Sequence, residues 1–175
     1  MRFRQIDRIT HLVPGERIEA QKTLTGREDY LRDHFPRFAV QPGVLMLESL
    51  FQAAQFLVRS SEGFQSALVL LREAKGVKFA SFLLPGDTLF VQAEIIKQTG
   101  NLTLLKASGK NSSGDVCVAG RLVVECDGQG SKDFADSYTG RYMKQLVEQL
   151  QKAAVGKPNQ GYNLDPSTMS VSSGE

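Results

Sequence analysis

Histidine is scarce in this chain. His11 and His34 are the only two among 175 residues, and the two cysteines, Cys117 and Cys126, stand nine positions apart, a spacing that fits no metal or redox motif. So few ligand-forming side chains exclude a His-rich metal site. An excess of charge is also lacking: the formal net charge is +2 and no block of Lys or Arg occurs, so there is no electrostatic footprint for nucleic acid. The basic start, Met1-Arg2-Phe3-Arg4, runs into no uninterrupted apolar stretch, which argues against a secretory leader. The apolar run at residues 44–58 is interrupted by Glu48, Gln52 and Gln55 and is too short to span a bilayer. A cytoplasmic protein of a reducing compartment is expected, and its 41% hydrophobic content suffices for the core of one domain.

Residues 6–25 read as two strand-like pieces around a turn at Val13-Pro14-Gly15-Glu16. Residues 26–41 have no clear period and read as a loop. Pro42 suits the first position of a helix, where its missing N–H costs nothing. The helix then runs from Gly43 to about Ser60, with apolar side chains on nearly every face, as in a buried helix. Its polar residues Glu48, Gln52, Gln55 and Arg59 fall four, three and four apart and so share one stripe. Arg59 reads as an exposed helix end. Beyond it lie a short apolar run at 66–71, a strand at 75–82 and a turn at Leu84-Pro85-Gly86-Asp87. Three strands follow at 88–98, 101–108 and 115–125, joined by short turns into an antiparallel meander. One apolar helix and one antiparallel sheet predict an α+β domain, the sheet wrapped around one long central helix. The composition shifts at residues 127–133. This gives a domain at 1–127 and a linker with a C-terminal helix within 128–156, its apolar face formed by Tyr142, Leu146, Val147 and Leu150. A tail rich in Pro, Gly, Ser and Asn at 157–175 is expected to be disordered.

The chemistry concentrates between His34 and Gln52. Glu48 is the only charged residue between Gly43 and Val58. An ionised carboxylate in an apolar helix has a partner or a task, because burying it alone is costly. The Pro42-Gly43 pair opens the helix, whose first N–H groups, on Gly43 and Val44, are free to bind a carbonyl oxygen. His34 can act as a base near neutral pH. Burial can raise a carboxyl pKa by roughly 3–5 units, so Glu48 is a candidate acid. A base, an acid and a carbonyl site together suit proton transfer on a carbonyl compound.

At these residues the chain resembles the 3-hydroxyacyl-[acyl-carrier-protein] dehydratases of the hot-dog fold. Their signature runs His-Phe-Pro-Gly, a short spacer, Pro-Gly-Val or Pro-Gly-Cys, three residues, Glu or Asp, then Gln. Here it reads His34-Phe35-Pro36, Pro42-Gly43-Val44, Glu48 and Gln52, ungapped from His34 to Glu48. Gln5-Ile6-Asp7-Arg8-Ile9, Lys78-Phe79-Ala80 and Leu84-Pro85-Gly86-Asp87 are similar to the family's opening strand, a later strand and its turn, so the resemblance covers about residues 3 to 126. Arg37, Ala39 and Gln41 stand where the family usually has Gly and Pro and often has Met.

The resemblance implies His34 as catalytic base and Glu48 as acid. It implies substrate contacts from Gly43, Val44, Gln52 and Phe35, with Gln52 orienting Glu48. It further implies no metal or organic cofactor and a homodimer or trimer of dimers, each site drawing His and Glu from opposite subunits. The implied partner is acyl-carrier protein, which is acidic, and Arg37, Arg72, Lys75 and Lys78 are candidates to meet it. The activity it implies is dehydration of a 3-hydroxyacyl thioester to the trans-2-enoyl thioester. A hot-dog thioesterase, which does not require His34, and a non-catalytic acyl-thioester-binding subunit are the alternatives.

Overall fold

A computed structural model of the chain describes residues 3–35, 37–127 and 137–153. Six strands form one antiparallel sheet: β1 (Arg8–Val13), β2 (Arg17–Thr23), β3 (Val69–Phe79), β4 (Thr88–Thr99), β5 (Leu102–Lys110) and β6 (Val116–Cys126), in the spatial order β1-β2-β4-β5-β6-β3. The expected meander is β4-β5-β6. Its inward side chains alternate as the two-residue strand period requires: Leu89, Val91 and Ala93 on β4, Leu105 and Ala107 on β5, Leu122 and Val124 on β6, all buried. Helix α2 (Gly43–Ser61) lies across that inner face and contacts β2 through β6. Met46, Leu50, Ala53, Ala54 and Leu57 point into the shared core, and the two alanines, fully buried, allow close approach of helix and sheet.

The expected loop at residues 26–41 contains one helical turn, α1 (Tyr30–Asp33). Pro42 precedes the helix rather than starting it: its carbonyl accepts from Leu45 and Met46 N–H, and Gly43 is the first helical residue. The two pieces expected at 66–71 and 75–82 are one strand, β3. Its pairing with β6 slips between Leu71 and Glu73 and again between Lys75 and Lys78, and Gly76 sits in the left-handed region at φ 57°. Two such irregularities shift the inward–outward alternation, which is why the pattern read as broken. β3 ends the sheet, its second edge unpaired among the described residues.

The turn before β4 is braced from three directions. Leu24 exchanges backbone hydrogen bonds with Asp87 and Gly86, and the Asp87 carboxylate accepts from the N–H of Thr88 and from the N–H and hydroxyl of Ser112. Partial burial opposes charge on Asp87, but the Ser112 and Thr88 hydrogen bonds outweigh it and hold the carboxyl below its usual range. The C-terminal helix is α3 (Tyr138–Lys152), started by the Ser137 hydroxyl, which accepts from Gly140 N–H at 3.2 Å. It packs on β1 through buried Leu146, Val147 and Leu150. The tail expected at 157–175 lies outside the described residues.

Arg59 is not the exposed helix end that its charge suggests. It is 5% exposed, and its guanidinium donates to the carbonyls of Ser66 at 2.5 Å and Ala67 at 3.3 Å, closing the chain reversal from α2 into β3. Burial pulls its pKa below the ordinary arginine value, with Glu62 opposing. Replacing Arg59 by Ala leaves those carbonyls unpaired and is expected to cost about 1.5–3 kcal/mol. Urea unfolding with an unchanged slope checks this, and a loss below about 0.5 kcal/mol would contradict it.

Candidate active site

His34 follows α1 directly, its N–H donating to Tyr30 O at 3.1 Å. Its Nδ1 lies 3.2 Å from the Val40 carbonyl. A carbonyl only accepts, so Nδ1 carries the hydrogen and the neutral ring keeps its lone pair on Nε2. The loop that holds it is tight. Phe35 adopts φ 51°, a region that non-glycine residues enter at a cost of order 1–3 kcal/mol, and its carbonyl accepts from Phe38 N–H at 2.8 Å. The Phe35 ring packs edge-on against His34 with centroids 4.6 Å apart and is otherwise exposed.

Glu48 is half-buried on the second turn of α2. Its Oε1 accepts from Gln52 Nε2 at 2.8 Å, the i, i+4 contact that helix geometry supplies. The Gln52 amide cannot flip: its Oε1 accepts the Gln5 backbone N–H at 2.7 Å, so both Nε2 hydrogens go to acceptors, Phe3 O at 2.9 Å and Glu48. Glu48 Oε2 has no hydrogen-bond partner among the described residues. Gln55, on the same stripe, donates to Val69 O and is spent on structure.

At the tip of α2 the N–H groups of Gly43 and Val44 have no acceptor among the described residues, and Val44 is 69% exposed. A side chain at Gly43 would put a Cβ 3.1 Å from the Phe79 ring, so glycine lets that aromatic lie over the helix start. Phe35, Phe38, Phe79 and Phe82 all show large exposed areas here, Phe38 and Phe82 meeting edge-to-face at 5.8 Å. Exposed aromatics around a helix tip form an apolar surface fit for an acyl chain or a protein contact. His34 and Glu48 share no hydrogen bond or ion pair within the chain.

Of the cations expected to meet an acidic partner, Arg72 pairs with Glu125, and Lys75 pairs with Glu73 at 3.0 Å. Arg37 and Lys78 are exposed without an ion pair among the described residues. Lys78 lines a groove of about 480 Å³ with Lys75, Lys106 and Arg121. Sequence reasoning did not single out Lys106 and Arg121; they are cross-strand neighbours on β5 and β6, a contact that only sheet register reveals.

A family model described as a FabA-like domain matches residues 1–125. The 3-hydroxyacyl-[acyl-carrier-protein] dehydratase FabZ of Levilactobacillus brevis is 39% identical over 114 residues, 65% of this chain and 77% of that protein. The FabZ of Clostridium kluyveri is 36% identical over 106 residues, 61% of this chain and 74% of that protein. Among solved structures, the dehydratase heterocomplex ApeI:P from Xenorhabdus doucetiae superposes with a TM-score of 0.58 at 20% identity, covering 83% of this chain and 90% of that one. At that identity the likeness speaks for the fold, the hot-dog arrangement of an antiparallel sheet around a central helix. Helix, sheet order and sequence agree over the same span, and the chain belongs to the FabA-like family.

Proposed function

We propose that this chain is a hydro-lyase that removes water from a 3-hydroxyacyl thioester on acyl-carrier protein, giving the trans-2-enoyl thioester for fatty-acid or related acyl-chain synthesis. The observation that carries the reading is the state of its two titratable groups. Gln52 holds one Glu48 oxygen and Val40 holds one His34 nitrogen, so each group offers its other atom to a substrate. The curated relatives are named for this reaction.

His34 Nε2 takes the proton from the α carbon. The thioester oxygen gains charge and is met by the free N–H groups at Gly43 and Val44, where one such donor contributes about 2.7–4 kcal/mol to the transition state. A proton passes from the Glu48 carboxyl group to the β-hydroxyl as the C–O bond breaks, and water leaves. The imidazolium proton then returns to the Glu48 carboxylate, restoring both groups. Val44 and the Phe35 ring flank the acyl chain. No step calls on a metal or organic cofactor. Residues 1–127 carry this site, and α3 is an accessory that covers β1.

His34 and Glu48 share no direct hydrogen bond or ion pair within one chain. The aromatic surface at the α2 tip and the free β3 edge both suit a second copy, which completes each site with His34 from one subunit and Glu48 from the other, in a homodimer or trimer of dimers in the cytoplasm. The acidic carrier docks at the groove of Lys78, Lys106 and Arg121.

With a 3-hydroxybutyryl thioester, enoyl absorbance should appear, and His34→Ala and Glu48→Gln should each lower kcat about 100-fold or more. Enoyl formation that survives His34→Ala would contradict the assignment. Free thiol released equally by His34→Ala would instead mark a thioesterase, and carrier binding with no turnover a binding subunit. Lys78→Glu should raise KM for the carrier-borne substrate about fivefold more than for a small N-acetylcysteamine thioester; equal shifts would remove the groove from docking.

A further inference from the structure

Gln5 and Gln41 are 3% and 2% exposed, among the most deeply buried polar side chains of the protein. Amides are taken into a core only where hydrogen bonds replace water. These two meet each other: Gln41 Nε2 donates to Gln5 Oε1 at 3.3 Å. The Gln5 backbone N–H donates to Gln52 Oε1 at 2.7 Å, and Gln52 holds Glu48. On the other side, Gln41 N–H is fixed on Leu83 O at 3.0 Å, and the carbonyl of the preceding residue, Val40, holds His34 Nδ1. One polar path thus runs from His34 through Val40, Gln41, Gln5 and Gln52 to Glu48, all within a single chain.

Packing does not explain Gln41. Met has nearly the same volume and no amide to desolvate. Moreover, Gln41 Oε1 is buried without a partner among the described residues, a condition that costs about 1–3 kcal/mol. A filler side chain would not carry that cost.

We propose that Gln41 is a positioning residue. Through Gln5 and Gln52 it ties the loop that presents His34 to α2 of the same chain, so that the Val40 carbonyl stays aimed at Nδ1 and the lone pair stays on Nε2. This deepens the dehydratase reading and its catalytic consequence rests on it, but the effect on the imidazole does not.

The test uses the full chain with Gln41→Met and the pair Gln5→Leu/Gln41→Met, which keeps the Gln5 backbone link to Gln52 while removing both amides. Nitrogen NMR of the imidazoles, with His11→Gln to assign the signals, should show His34 as the Nδ1–H tautomer in the parent and as a mixture in both variants. Gln41→Met should lower stability, because the Gln5 amide is left unpaired, and the pair should recover it. In both, kcat for dehydration should fall about 10- to 100-fold with KM within about twofold, as a small misplacement of a reacting group predicts. A pure Nδ1–H tautomer in both variants, or a pair with recovered stability and parental kcat, would reduce Gln41 to packing. A parent without dehydratase activity would overturn the preceding reading, and the tautomer would still decide this one.

Discussion

Everything at the site depends on how Gln52 is held. Its amide faces a backbone donor at Gln5, a backbone acceptor at Phe3 and one carboxylate oxygen of Glu48, so neither its orientation nor its hydrogen-bond count is free. The strand-entry segment before β1 is thereby bonded to the middle of α2, 47 residues away. A surface glutamine would exchange these partners for water at little cost. Half-buried and saturated, Gln52 keeps one oxygen of Glu48 engaged, and the other has no hydrogen-bond partner among the described residues.

The scaffold supplies rigidity to that arrangement. α2 presses buried alanines and leucines onto a sheet whose strands all run antiparallel, so the helix cannot slide without opening the core. At its N-terminal tip Val44 is exposed and Gly43 lies under the Phe79 ring. The strained Phe35 and the carbonyl of Val40 then fix the His34 ring in the loop that leads into that helix. Rigid helix, tight loop and free N–H groups are the elements that pre-organised proton transfer requires.

Much of this was legible in the sequence because it rests on local spacing. Glu48 and Gln52 are one helical turn apart, the Pro-Gly pair marks the helix start, and the β4 alternation names its own inner face. What was not legible depends on contacts between distant residues. Arg59 looked like a solvated helix end because nothing nearby in sequence announces the carbonyls of Ser66 and Ala67 turning back to it. β3 read as two pieces because bulges around Gly76 break its period. Gln41 stood out only as a departure from the resembling family, and its bond to Gln5 spans 36 residues. The groove of Lys78, Lys106 and Arg121 exists only through strand register.

The central claim is that one imidazole and one carboxyl group, supplied by two copies of the chain, act on the same thioester. Subunit complementation tests it most directly. Mixing unfolded His34→Ala and Glu48→Gln chains in equal amounts and refolding them together puts both variants into half of the dimers, and each mixed dimer regains one intact site, so about a quarter of parental dehydratase turnover is expected from two inactive parents. A refolded mixture no more active than either parent alone would contradict it.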